Sequence, residues 1–174
     1  MAADGAEWRF LLVGPADPVV LREALAFVDR HGLRDRVRFL GRRPAGELHD
    51  IVSLADLGVN LRHPTMGESS AALMNLLACG CPALVTAEGQ FLEYPDDVCW
   101  KVDAGGGERR QLVEMMRTLR ERPEVLAAMG RAARHFAEAR AWPVAGQAYG
   151  DLIRELAMAR DGAAEYRPPV VLGR

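Results

Sequence analysis

The residues best placed to do chemistry sit in one stretch, His63 to Pro82, which reads HPTMGESSAALMNLLACGCP. A polar loop holding Gly67 and Glu68 runs through Ser69 and Ser70 into an apolar helical pattern that stops at Gly80. A helix start carries unpaired N–H groups and a partial positive charge of about half an elementary charge. Small residues such as Ser69, Ser70 and Ala71 let an anionic group approach that backbone, and phosphate is the natural guest. Glu68 suits hydroxyl groups and is badly suited to phosphate itself. A donor cluster beside a hydroxyl-accepting carboxylate points to a phosphorylated sugar or a nucleotide sugar. Taken alone, the same residues fit an ordinary helix start better, with Glu68 or Ser69 as N-cap and the carboxylate in solvent.

Other polar residues offer less. Arg62 and His63 follow an apolar run; Arg62 reads equally as a phosphate contact or a solvated side chain, and His63 more readily as a loop cap than as a sugar or acceptor contact. Glu88, Gly89 and Glu93 lie in a later loop, where a solvated carboxylate is the simpler reading of Glu93. Asp96-Asp97 reads as a turn. Arg109-Arg110 and Arg131 to Arg134 read as solvated helix faces, and His31, His49 and His135 as surface residues. Cys79, Cys81 and Cys99 are an odd set with no second pair or spaced histidine to complete a zinc site, so they read as buried thiols beside a strand in a reducing compartment.

Strands alternating with helices must position these loops. Apolar runs at Trp8–Gly14, Asp35–Gly41, Asp56–Arg62, "PALVTAEG" and "DVCWKV" predict strands, the first of them a buried parallel one. Between them, Asp17 as N-cap, Pro18 at the first position and Gly32 past the end predict a helix, and Leu48, Ile51, Val52 and Ala55 give the next its apolar face. Three further helices follow. Leu112, Met115, Met116 and Leu119 pattern the first; Val125, Leu126, Met129 and Phe136 the second; Trp142, Tyr149, Leu152, Ile153 and Leu156 the third. Met and Trp at this spacing read as core. Such alternation predicts a parallel α/β sheet with right-handed crossovers, whose ligands bind beyond the carboxyl ends of the strands. "HPTMGESS" is one of those loops.

With 174 residues, 49% hydrophobic and 26% charged, the chain fits one soluble domain or half of something larger. A net charge of −2 gives no reason to expect nucleic acid or an anionic membrane, and the basic residues are arginines apart from Lys101. "MAADGAEW" has neither the basic nor the apolar region of a signal peptide, and no apolar run nears the roughly 20 residues of a membrane span. The expectation is a cytoplasmic protein, with peripheral membrane attachment of a full-length form left open.

The ordered blocks "FLLVGP", "GLRDRVRFLGRRPAGELHDIVSLADLGVNL", "HPTMGESSAALMNLLACGCPALVTAEG", "EYPDDVCWKV" and "AWPVAGQAY" resemble the C-terminal, donor-binding domain of GT-B fold glycosyltransferases, family 4 type. The resemblance implies a Rossmann-like parallel sheet sandwiched by helices over residues 1–160, with 161–174 as a tail. It also implies a nucleotide diphosphate sugar as donor, retention of anomeric configuration, no obligatory metal or other cofactor, and a separate N-terminal domain for the acceptor. Carried over by position, Met66, Gly67, Glu68, Ser69 and Ser70 would face the donor sugar and phosphates, with Glu68 in the catalytic slot and Arg62 and His63 alongside. Gly41, Arg42 and Arg43 would lie near the base, and Asn75 would stand where the family places a ribose-binding glutamate.

Two departures mark this chain. The family's glutamates, eight positions apart, align with Gly67 and Asn75, leaving Glu68 one place late. The strand and loop that usually carry an arginine and a lysine for the diphosphate have no counterpart before Trp8, and Lys101 follows a different strand. The resemblance therefore implies a piece of a larger enzyme, inactive alone. A second expectation is a non-catalytic interaction module that keeps the sheet and self-associates through an apolar edge beside Trp8.

Overall fold

A computed structural model describes residues 8–161. The expected tail and the N-terminal segment tested for a targeting signal lie mostly outside the described residues. The elements alternate as expected: β1 (Phe10–Val13), α1 (Pro18–Arg30), β2 (Val37–Gly41), α2 (Ala45–Ser53), β3 (Gly58–Asn60), α3 (Ala71–Ala78), β4 (Ala83–Thr86), a 3-10 turn (Gly89–Glu93), β5 (Cys99–Val102), α4 (Glu108–Glu121), α5 (Pro123–Glu138) and α6 (Trp142–Asp161). Local chemistry sets several boundaries. Asp17 Oδ1 accepts from the amides of Val19 at 2.8 Å and Val20 at 3.2 Å, so α1 starts as its sequence predicts.

All strand pairs are parallel, but they form two sheets rather than one: β1–β2, and β3–β4–β5. β1 and β3 are not bonded to each other, so among the described residues each keeps an unpaired edge. The expectation that β1 is a buried strand is corrected too: Leu11 and Leu12 are 50% and 45% exposed. A parallel strand is buried only when helices cover both faces, and α1 buries a single residue, Val28. Trp8 and Phe10 nevertheless reach the cluster formed by Leu84, Val102, Met116, Leu119 and Met129.

β4 is the centre of the molecule. Its alternate residues serve two cores: Leu84 faces the α4–α5 side, while Ala83 and Val85 join Leu73, Leu77, Phe91 and Cys99 on the α3 side. α5 lies close against the turn between α3 and β4. A Cβ at Gly130 would meet the Gly80 carbonyl oxygen at 2.7 Å, and Arg134 Nη2 donates to the Cys79 carbonyl at 3.3 Å.

α4 and α5 bury the predicted faces, but α6 does not. Trp142 is 89% exposed, and Tyr149, Leu152, Ile153 and Leu156 are exposed with it. Helical spacing gave an apolar stripe, and among the described residues no element covers it. Among them also, no helix is long and apolar enough to cross a membrane.

Candidate functional site

Ser70 is 1% exposed at the mouth of α3. Its Oγ accepts from the Leu73 amide at 3.2 Å and from Asn60 Nδ2 at 2.9 Å. The N-cap is therefore Ser70, not Glu68 or Ser69, because only the residue directly before the first helical position turns its oxygen back over that turn. The Asn60 contact ties the tip of β3 to the same point. Ser69 stays exposed, and the amides of Ala71 and Ala72 find no acceptor among the described residues. Two donors remain open where an anion could settle.

Glu68 turns onto its own loop. One carboxylate oxygen accepts from the Met66 amide at 2.9 Å and lies 3.5 Å from Thr65 Oγ1; the other accepts from Arg62 Nη1 at 3.0 Å. Its own backbone amide does most to hold the carboxyl below the usual glutamate range; desolvation, the next largest effect, opposes it, and the Met66 amide and Arg62 add to the lowering. Gly67, at φ +81, makes the tight bend possible and donates its amide to Thr65 Oγ1 at 3.0 Å. Met66, 90% exposed, crowns the loop.

A second loop, after β4, forms the facing wall. His63 Nδ1 lies 2.9 Å from Glu88 Oε2, and the Arg62 amide donates to Thr86 Oγ1 at 2.8 Å. A side chain at Gly89 would strike Thr65 Cγ2 at 2.9 Å, so the loops close on each other only with glycine there. The structure thus gathers Arg62, His63, Met66, Gly67, Glu68, Ser69 and Ser70 at the carboxyl ends of β3 and β4, and Asn75 stands exposed one turn into α3.

The other predicted residues are bonded elsewhere or exposed. Gly41 closes β2 and Arg42 is exposed; Arg43 bonds the Leu40 carbonyl at 3.0 Å and approaches Glu47 at 3.5 Å. No hydrogen bond or ion pair among the described residues joins these three to residues 62–70. Lys101 sits within β5, rather than after it, and pairs with Asp96. Cys81 and Cys99 are buried, and desolvation pushes both thiols up to about 12. Cys79 is only half-buried and touches His49 Nδ1 at 3.4 Å. No group of three potential metal ligands converges among the described residues.

Sequence reasoning missed Asn60, Thr65 and Thr86 and treated Glu88 as a mere neighbour of the site. A polar residue at the end of an apolar strand was the available signal: Thr86, 2% exposed, must bond something.

These loops lie at the carboxyl ends of parallel strands in an α/β fold. Residues 1–144 match the family described as glycosyl transferase-like, and the chain belongs to that family. No curated protein matches the sequence. Among solved structures, sucrose-phosphate synthase from Thermosynechococcus elongatus is 26% identical with a TM-score of 0.67, over 86% of this chain and 38% of that one. HepE of Anabaena, solved with UDP-glucose, is 20% identical with a TM-score of 0.69, over 83% and 40%. The C-terminal domain of the group 1 glycosyl transferase LpcC from Francisella tularensis is 16% identical with a TM-score of 0.68, over 78% and 71%. The fold is that of GT-B glycosyltransferases, and the chain spans about two fifths of the first two enzymes, 38% and 40%.

Proposed function

We propose that this chain is the nucleotide-diphosphate-sugar-binding domain of a retaining glycosyltransferase. The observation that carries the reading is the mouth of α3, where the open amides of Ala71 and Ala72 follow directly on the loop that pairs Arg62 with Glu68. A diphosphate accepts from the amides and pairs with Arg62, with no resident metal needed to offset its charge. Glu68 and Met66 face the sugar, Asn75 receives the ribose hydroxyls, and Gly41, Arg42 and Arg43 border the base. UDP-glucose in HepE supports a uridine nucleotide as the first probe. The acceptor is held by a further domain, for which the uncovered apolar face of α6 and the unpaired edges of β1 and β3 provide surfaces. On its own the chain binds the donor and transfers nothing.

Calorimetric titration with a panel of nucleoside diphosphates and their sugars tests this. Binding of a nucleotide sugar that weakens in Glu68→Ala supports it; no binding of any of them at millimolar concentrations would sink it. A second reading, a non-catalytic interaction module, is favoured by the Glu68 carboxylate, whose two oxygens both already have partners within the loop. That module self-associates without ligand, which light scattering after size exclusion detects.

A further inference from the structure

Arg62 and Glu68 form the one ion pair within the proposed donor loop, at 3.0 Å. Both side chains are partly exposed, at 38% and 48%, so their pairing is easily exchanged for another. The pair also has a fixed geometry. The Arg62 backbone is anchored to Thr86, while Glu68 is anchored by the Met66 amide through its other oxygen. Parting them therefore requires no movement of either backbone, only rotation of the arginine side chain. Two residues beyond Glu68, the cap at Ser70 leaves the Ala71 and Ala72 amides open, so an anion arriving there meets an arginine already held by a carboxylate.

We infer that Glu68 is a placeholder for the ligand: its carboxylate holds Arg62 in the empty site, and an arriving diphosphate takes Arg62 away and frees that oxygen for a sugar hydroxyl. The inference rests on the donor-site reading above and adds an exchange that reading does not require. Glu68 gains a free acceptor only after the phosphates are bound, so the sugar is gripped second. The same carboxylate lowers affinity for a bare nucleoside diphosphate, because it competes for Arg62 and repels the incoming charge.

The two effects separate in a cycle of Glu68→Gln, Arg62→Gln and the double variant, titrated with UDP and with UDP-glucose, with circular dichroism confirming the fold. Glu68→Gln tightens UDP binding about two- to fivefold, the range of a partly exposed ion pair. Arg62→Gln weakens it. The tightening from Glu68→Gln is smaller when Arg62 is already replaced, since only repulsion is then relieved. Equal tightening in both backgrounds leaves repulsion alone and overturns the exchange. Weaker UDP binding in Glu68→Gln overturns it as well, showing that Glu68 orients Arg62 instead. In the unaltered chain, the Arg62 Nε–H NMR signal shifts when UDP is added; a signal that stays in place while UDP binds contradicts the proposal. If UDP and the other diphosphates do not bind the unaltered chain at all, the donor-site reading itself fails and the exchange falls with it.

Discussion

One hydroxyl, that of Ser70, closes α3 and fastens β3 to it. Replacing it with alanine leaves the Leu73 amide and the Asn60 side chain without their acceptor in a buried place. Ser70→Ala is expected to destabilise the protein by about 1–2 kcal/mol, seen as a lower thermal midpoint. Ser69→Ala, at an exposed position with no capping role, leaves that midpoint nearly unchanged. Glu68 makes a pH prediction of known sign. Its carboxyl is held below its ordinary range, so the stabilising effect of its bonds is complete above the unfolded glutamate value and is lost as pH falls through the lowered folded one. Its carbon-detected NMR titration should accordingly show no step between about pH 6 and 8. A midpoint above the ordinary glutamate range would contradict the loop geometry.

At the scale of elements, α3 is held between β4 and α5, and the hold depends on the absence of a side chain. Gly130→Ala drives a methyl into the Gly80 carbonyl and is expected to cost about 1–3 kcal/mol in chemical denaturation. Gly46→Ala, also within a helix but with open space around it, serves as the control and is expected to be neutral to slightly stabilising. The glycine at 130 could not be singled out from the sequence, because its helix pattern is complete without it. Other features were legible. Asp17-Pro18 announced the start of α1, and the apolar spacing in α4 and α5 named buried faces, since capping and periodicity are local. The loop proposed to hold the donor was half legible. The local bonds of Glu68 and the Ser70 cap lie within residues 62–73, but Asn60, Thr86 and Glu88, which bond Ser70, Arg62 and His63, reach them across strands. α6 showed the reverse failure: its stripe is real, but spacing says nothing of what covers it.

Over the whole molecule, stability should be unevenly spread. The β3–β4–β5 sheet with α3, α4, α5 and the segment 89–98 carries most of the buried side chains, whereas β1, α1 and β2 contribute Val28 alone. Hydrogen exchange should therefore protect β4, β5 and α5 most and release β1 and α1 orders of magnitude sooner. Uniform protection across residues 10–138 would refute that division. The division has a mechanical corollary. Gly130 against Gly80 and Arg134 on the Cys79 carbonyl fasten the carboxyl end of α3 to α5. On the donor-site proposal, accommodation falls to the nine residues 62–70, so ligands of different size should alter the mobility of that short span more than the orientation of α3.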